Sequence, residues 1–289
     1  MSNIAFIGLG VMGYPMAGHL AGAAHDVVVY NRTSAKADAW MKQHHGRSAP
    51  TPRDAAREAS FVLSCVGNDA DVRAVTLGES GAFAGMKPGA VFIDHTTASA
   101  RLARELEAEA HARGLGFLDA PVSGGQAGAE SGQLSIMTGG DSKTFEKAQA
   151  ILETYAKALV LVGPAGSGQL TKMVNQICLA GLIQGLAEAL HFAKQAGLDT
   201  ERVLSVISRG AAQSWQMDNR AQTMLEGRFD FGFAVQWMRK DLGICLDEAR
   251  SNGTMLPVTA LVDQFYAEVE ARGGRRWDTS SLIARLEGS

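Results

Sequence analysis

Over the first 163 residues, short continuous apolar runs alternate with stretches of helical period. The runs Ile4–Ile7, Val27–Tyr30, Phe61–Cys65, Val91–Asp94, Phe117–Leu118, Leu134–Met137 and Val160–Val162 read as strands. Between several of them lie helical patterns such as Ala100–Arg113 and Ser142–Tyr155. Strand–helix alternation predicts a mostly parallel sheet with helices on both faces. Runs that are apolar throughout, rather than at every second position, fit strands buried on both sides. The expectation is an α/β fold with an N-terminal doubly wound Rossmann sheet.

The pattern changes at Gly163-Pro164-Ala165-Gly166, a turn cluster. Beyond it strand signal almost vanishes. Helical patterns cover Gln169–Gln195, Glu201–Arg209, Trp215–Leu225, Leu242–Arg250 and Val258–Ala271. We therefore expect two domains, 1–163 for a dinucleotide and 164–289 as an all-α C-terminal domain. The long run after Met173 is broken by Asn175, Gln176, Gln184, Glu188 and His191, so it reads as a core helix rather than a membrane span.

Composition narrows the class. The 289 residues are 46% hydrophobic and 20% charged, with net charge −3, which is ordinary for a globular protein. Nothing in that balance points to nucleic acid or an anionic membrane. Cys65, Cys178 and Cys245 are far apart, each in an apolar segment, and read as small buried side chains in a reducing compartment. No Cys/His cluster has metal spacing, and His44-His45 reads as a solvated pair. With no charged leader before an apolar signal core, a cytoplasmic location is expected.

The first chemical signal is GLGVMG, comprising Gly8, Leu9, Gly10, Val11, Met12 and Gly13. It follows a strand, opens a helix and leads to a second strand. In that context the first glycine makes the tight turn and the second admits a pyrophosphate. The third lets the helix pack on the strand, and the helix N-terminus offers N–H groups and partial positive charge to the phosphates. An NAD-preferring site places a carboxylate at the tip of the second strand, about 20 residues on. Here the tip reads Asn31-Arg32-Thr33. A guanidinium pairs with a 2′-phosphate and the two polar neighbours add hydrogen bonds, so NADP is expected ahead of NAD.

A second glycine cluster, Ser123-Gly124-Gly125, follows a strand and can present successive N–H groups to an anion. The third signal is Lys172 with Asn175, one turn apart on a helix that otherwise reads as core. An unpaired buried ammonium costs several kcal/mol. A cleft at the domain boundary would relieve that cost and still lower the pKa. Carbonyl reduction needs a proton at oxygen as hydride reaches carbon. Lys172 can supply it while Asn175 holds the oxygen.

Four motifs in this order, GLGVMGYPMA, DAPVSGG, GSGQLTKMVNQ and KDL, resemble the β-hydroxyacid dehydrogenase family. The resemblance covers nearly the whole chain. It implies that Lys172 is the catalytic lysine and Asn175 its substrate-orienting partner. It implies further that Ser123, Gly124 and Gly125 hold a substrate carboxylate and that Thr97 lies near nicotinamide and substrate. Lys240 would touch cofactor or substrate, and Val66 and Gly67 would run along the cofactor. Gly67 and Ala100 stand where the family often has proline, and Gly67 should loosen its loop.

The activity so implied is reversible hydride transfer between NADP(H) and a small carboxylate-bearing substrate of 3-hydroxy acid, aldehyde or keto acid type. Imine reduction is the alternative chemistry, and an inactive dinucleotide-binding scaffold the alternative role. Lys172 argues against the first, and Lys172, Asn175 and Ser123 together against the second. Trp215, Phe229, Phe231, Phe233 and Trp237 read as core of the helical domain or a subunit interface, and otherwise as a pocket wall. Arg209, Arg220 and Arg239 are candidates for a second carboxylate. The long apolar helix suggests subunit contacts, hence a homodimer or homotetramer.

Overall fold

A computed structural model describes residues 1–287. It alternates strands and helices as far as Gly163. These are β1 (Asn3–Ile7), α1 (Gly13–Gly22), β2 (Asp26–Tyr30), α2 (Ser34–Gln43), β3 (Arg47–Ser48), α3 (Pro52–Ala56), β4 (Phe61–Ser64), α4 (Asp69–Thr76), β5 (Val91–Asp94), α5 (Ala100–His111), β6 (Gly116–Asp119), β7 (Val122–Ser123), α6 (Gly125–Glu130), β8 (Leu134–Gly140), α7 (Ser142–Leu152) and β9 (Ala156–Gly163). Among the described residues five α-helices follow: α8 (Ser167–Gln195), α9 (Thr200–Ile207), α10 (Trp215–Leu225), α11 (Val235–Asn252) and α12 (Pro257–Ala271).

The sheet runs β3-β2-β1-β4-β5-β6-β8-β7, with β9 on the other side of β8. Pairings from β3 to β6 are all parallel, whereas β8 is antiparallel to β6 and β7. The order reverses at β1, which has β2 on one side and β4 on the other. The crevice beyond the carboxyl end of such a strand is where open α/β sheets hold ligands. β4 and β5 are buried at every residue, which is why they read as unbroken apolar runs. One core layer packs Met16, Leu20 and Trp40 against the sheet, and the other packs Phe83, Leu102 and Leu106. Two strands escape pattern reading. Arg47–Ser48 and Val122–Ser123 are two residues long, too short to carry a period.

The chain divides into two compact units, Met1–Lys172 and Met173 onward. In the second unit Ile183, Leu190, Met224, Met238, Leu242 and Tyr266 share one core. Helix α11 begins at Val235, seven residues before the expected Leu242. The stripe Val235, Met238, Leu242, Cys245 and Ala249 is buried at helical spacing and carries the helix back through Lys240. It ends at Gly253 in the left-handed region (φ 79°), and Pro257 opens α12 at its first position. An isolated bridge, Ala234 to Asp278, is the β pairing in this unit among the described residues.

Helix α8 is long and apolar enough to cross a bilayer by length and composition alone. Its buried Gln169, Lys172, Gln176 and Gln184 mark it as a core helix instead. Two expectations change here. Cys178 is exposed on α8, whereas Cys65 is half-buried and Cys245 buried. His44 is half-buried and lies against Trp40, ring centroids 5.0 Å apart, while His45 alone is solvated.

Candidate active site

The glycine loop leaves β1 and enters α1. Gly8 has φ 99°, and a Cβ there would overlap the Cys65 carbonyl. A Cβ on Gly13 would overlap the Gly8 carbonyl and stand 2.9 Å from the Phe6 ring. At Gly10 a Cβ would meet nothing within 4 Å. Turn and packing thus occupy the outer glycines, and open space lies beside the middle one, where a pyrophosphate approaches. No side chain caps α1 and its first turn has no acidic residue, so no carboxylate there offsets the partial positive charge of the helix N-terminus. These features fit a dinucleotide. Leu9 is buried, Val11 exposed and Met12 half-buried.

At the tip of β2, the Asn31 carbonyl Oδ1 accepts the Leu9 N–H at 2.9 Å and its Nδ2 donates to the Thr33 carbonyl at 2.9 Å. The Arg32 guanidinium lies 3.3 Å from Asp71 on α4 and its side chain is 86% exposed. Such an exposed pair is weak, so the guanidinium is easily redirected to a ligand.

The loop after β4 is stitched to the one after β5. The Val66 N–H donates to Thr96 Oγ1 at 3.0 Å. Asp69 accepts from the Ser99 N–H at 2.9 Å and its hydroxyl at 2.6 Å. These ties offset the freedom that Gly67 brings. Asp94, at the end of β5, accepts from the Ser64 hydroxyl at 2.7 Å and the Thr96 N–H at 3.0 Å. Burial pushes its carboxyl up to about 6, against the pull of those hydrogen bonds. Burial pushes neighbouring His95 down to about 4. The neutral ring therefore donates from Nδ1 to the Ala120 carbonyl at 2.7 Å and accepts the Tyr155 hydroxyl at Nε2, 2.8 Å.

Ser123 ends β7, half-buried, and Gly124 (φ 135°) and Gly125 (φ 61°) lead into α6. Two successive positive φ values demand glycine. His19 on α1 reaches the carbonyls of Ala129 and Glu130 at 2.9 and 3.1 Å, joining the end of α6 to the dinucleotide helix.

Lys172 and Asn175 both lie on α8, Lys172 with 7% of its surface exposed. In the second unit the Asn175 amide donates to Gln176 Oε1 at 2.7 Å, and Gln176 donates to Asp241 at 2.6 Å. Lys240 Nζ stands 2.9 Å from Asp241. Asp241 is thus a buried member of a polar chain inside α11, not a residue at a helix start. Among the arginines, Arg239 is paired by Asp263 and Glu270. Arg220 sits 4.9 Å from both the Trp215 and Phe231 rings, beside Asp278. Phe229 is core, whereas Trp215 and Trp237 are exposed. Gln169, Gln176 and Asp119 lie within the motifs, but motif reading assigns them no role, although the signal that marks Lys172, a polar residue in an apolar stretch, marks both glutamines.

A Rossmann sheet with an open glycine loop at its switch point defines a dinucleotide-binding protein. Residues 3–163 match the sequence profile of the NAD-binding domain of 6-phosphogluconate dehydrogenase. Residues 166–286 match that of the NAD-binding region of NADP-dependent 3-hydroxyisobutyrate dehydrogenase. An uncharacterized oxidoreductase of Shewanella frigidimarina is 62% identical over 100% of this chain and 99% of its own. A probable mitochondrial 3-hydroxyisobutyrate dehydrogenase-like protein of Arabidopsis thaliana is 40% identical over 99% of this chain and 85% of its own. The structure of Mycobacterium tuberculosis 3-hydroxyisobutyrate dehydrogenase with L-serine superimposes with a TM-score of 0.91 at 32% identity, covering 100% of both chains. The chain belongs to the β-hydroxyacid dehydrogenase family, the group of 3-hydroxyisobutyrate dehydrogenase, and is an NAD(P)-dependent oxidoreductase acting on CH–OH groups.

Proposed function

We propose that the protein transfers hydride between NADP(H) and a small 3-hydroxy acid or its aldehyde or keto-acid partner. The substrate type is that of 3-hydroxyisobutyrate, tartronate semialdehyde, glyoxylate or succinic semialdehyde. The observation that carries this reading is Lys172, a lysine buried to 7% exposure in a helix of a dinucleotide-dependent fold. A lysine ammonium can hand a proton to a carbonyl oxygen, the work of a general acid. The bound nicotinamide supplies or accepts the hydride. Lys172 protonates the carbonyl oxygen in reduction and, neutral, takes the hydroxyl proton in oxidation. Asn175, its amide oriented by Gln176, hydrogen-bonds that oxygen. Ser123, Gly124 and Gly125 hold the carboxylate, Thr97 lines the reacting centre, and Lys240 contacts cofactor or substrate.

The NADP preference rests on Arg32 at the β2 tip and on the absence of a carboxylate among Asn31, Arg32 and Thr33. NAD is the weaker alternative. We further place the protein in the cytoplasm as a homodimer or homotetramer. Exposed Val174, Leu182 and Phe192 on α8, and Val258 and Leu261 on α12, supply apolar surface for subunit contacts.

The test is oxidation of NADPH and NADH with glyoxylate, succinic semialdehyde, tartronate semialdehyde and a cyclic imine. Acid-aldehyde turnover that drops at least ~100-fold in Lys172→Ala, with NADPH affinity retained, is the expected result. Near-normal turnover in that variant removes the assignment, and turnover of the imine alone replaces the substrate class.

A further inference from the structure

Gln169 lies one turn before Lys172 on α8 and is buried, with 1% of its surface exposed. Its Oε1 accepts the Ala98 N–H at 3.0 Å, and its Nε2 donates to the Thr96 carbonyl at 2.7 Å. The carboxamide thus grips the chain on both sides of Thr97. Asp119, fully buried at the end of β6, holds the same helix from below. One carboxylate oxygen accepts the Gly166 N–H at 2.8 Å and the other the Gln169 N–H at 2.8 Å.

A helix start leaves N–H groups without partners, and a Ser, Thr, Asp or Asn at the cap position normally meets one of them. Gly166 precedes α8 and has no side chain to do so. The cap comes instead from another strand, 47 and 50 residues upstream of the donors it meets. Two glycines make room for it. A Cβ on Gly139 would stand 2.5 Å from Asp119 Oδ1, and one on Gly168 would stand 2.8 Å from Oδ2.

The two anchors constrain different motions. Asp119 fixes where the helix begins. Gln169, reaching sideways to the Thr96–Ala98 segment, fixes its rotation about its own axis. Lys172 is less than one turn further on, so its height and direction follow from both.

We infer that Asp119 and Gln169 are positioning residues that set the Lys172 ammonium against Thr97 by locking the first turn of α8 to the ends of β5 and β6. This rests on the reading of Lys172 as the proton donor. Misplacement of a reacting group by about 1 Å costs on the order of 100-fold in rate. Loss of one anchor should therefore lower kcat while leaving the glycine loop and its cofactor alone.

Gln169→Glu keeps the acceptor for Ala98 but turns a carboxylate oxygen toward the Thr96 carbonyl. Measured with NADPH and the best acid aldehyde, its kcat at about pH 8 should fall at least ~10-fold, with KM and NADPH Kd within ~2-fold of native. The ratio of variant to native kcat should climb as pH drops toward about 5, where a protonated carboxyl regains an O–H donor for Thr96. Gln169→Met should lose kcat with no such pH-dependent recovery. A Gln169→Glu kcat within ~2-fold of native, or a loss shared equally by NADPH affinity, overturns the inference. If Gln169→Met does not fold, Gln169→Glu decides alone. Failure of both to fold assigns Gln169 a structural role and overturns it too. Lys172→Ala run alongside separates the two claims. An active Lys172→Ala removes the proposed function itself, whereas an inactive one beside a native-like Gln169→Glu removes only the positioning pair.

Discussion

Asn31 and Leu9 are joined by a 2.9 Å hydrogen bond from the Leu9 N–H to the Asn31 carbonyl Oδ1, across the gap between the β2 tip and the glycine loop. The amide therefore shapes the loop that receives the pyrophosphate, while Arg32 next to it extends into solvent, 86% exposed. The two residues should fail differently. Asn31→Ala leaves the Leu9 N–H unpaired and should weaken NADPH and NADH alike, by roughly 10-fold each. Arg32→Ala should weaken NADPH by roughly 10-fold and leave NADH unchanged, since only NADPH carries a 2′-phosphate for a guanidinium at the β2 tip. Fluorescence titration of both cofactors against both variants checks this. Equal losses of NADPH and NADH in Arg32→Ala would deny the residue any selecting role.

What could be read in the chain follows from how local each signal is. The seven strand segments, the glycine loop and the change to helices after Gly163 are written in consecutive residues, and the structure carries them with boundaries shifted by a few positions. The start of α11 was missed because Val235 and Met238 sit among aromatic and basic neighbours that blur the stripe. Arg47–Ser48 forms a strand only because β2 offers its edge. Asp119 was visible as the first letter of a motif, but its work is long-range: its two partners come from a helix start 47 and 50 residues away. Asp241 and Gln176 likewise become a pair only through packing. Spacing alone does not foretell a hydrogen bond between distant elements.

Two glycines on α8 should respond with opposite sign. A Cβ at Gly168 would stand 2.6 Å from the Asp119 carbonyl oxygen, a backbone atom that cannot swing aside, and would also overlap the Met137 carbonyl. Gly168→Ala should therefore destabilise by several kcal/mol, displacing the helix start along with its cap. At Gly185 a Cβ would meet nothing within 4 Å. In a helix interior, alanine gains up to about 1 kcal/mol over glycine there, raising Tm by roughly 2 °C. Thermal melts of the two variants give the answer. A native-like Tm for Gly168→Ala would mean that α8 does not sit on β6 as described.

Asp94 and His95 are adjacent, both buried, and shifted in opposite directions, which sets up a compensation in the acid range. His95 falls from 6.5 unfolded to about 4 folded. Between those values the unfolded chain binds the extra proton, so this residue makes stability fall as pH drops from about 6.5 to 4. Asp94 rises from 3.8 unfolded to about 6 folded. Here the folded state binds the extra proton, so stability grows as pH drops through the folded value and the gain is complete near the unfolded one. Each contribution is on the order of 3 kcal/mol, and over about pH 6 to 4 they oppose each other. Asp94→Asn keeps an acceptor for Ser64 and Thr96 but cannot take up the proton. It should leave the His95 loss uncompensated and make Tm fall more steeply with acidification than in the native protein. His95→Gln should flatten or invert the native slope over the same range. The comparison is one of slopes, so any constant cost of either substitution drops out. Parallel Tm-against-pH lines for native protein and Asp94→Asn would show that the buried carboxyl does not titrate in this window.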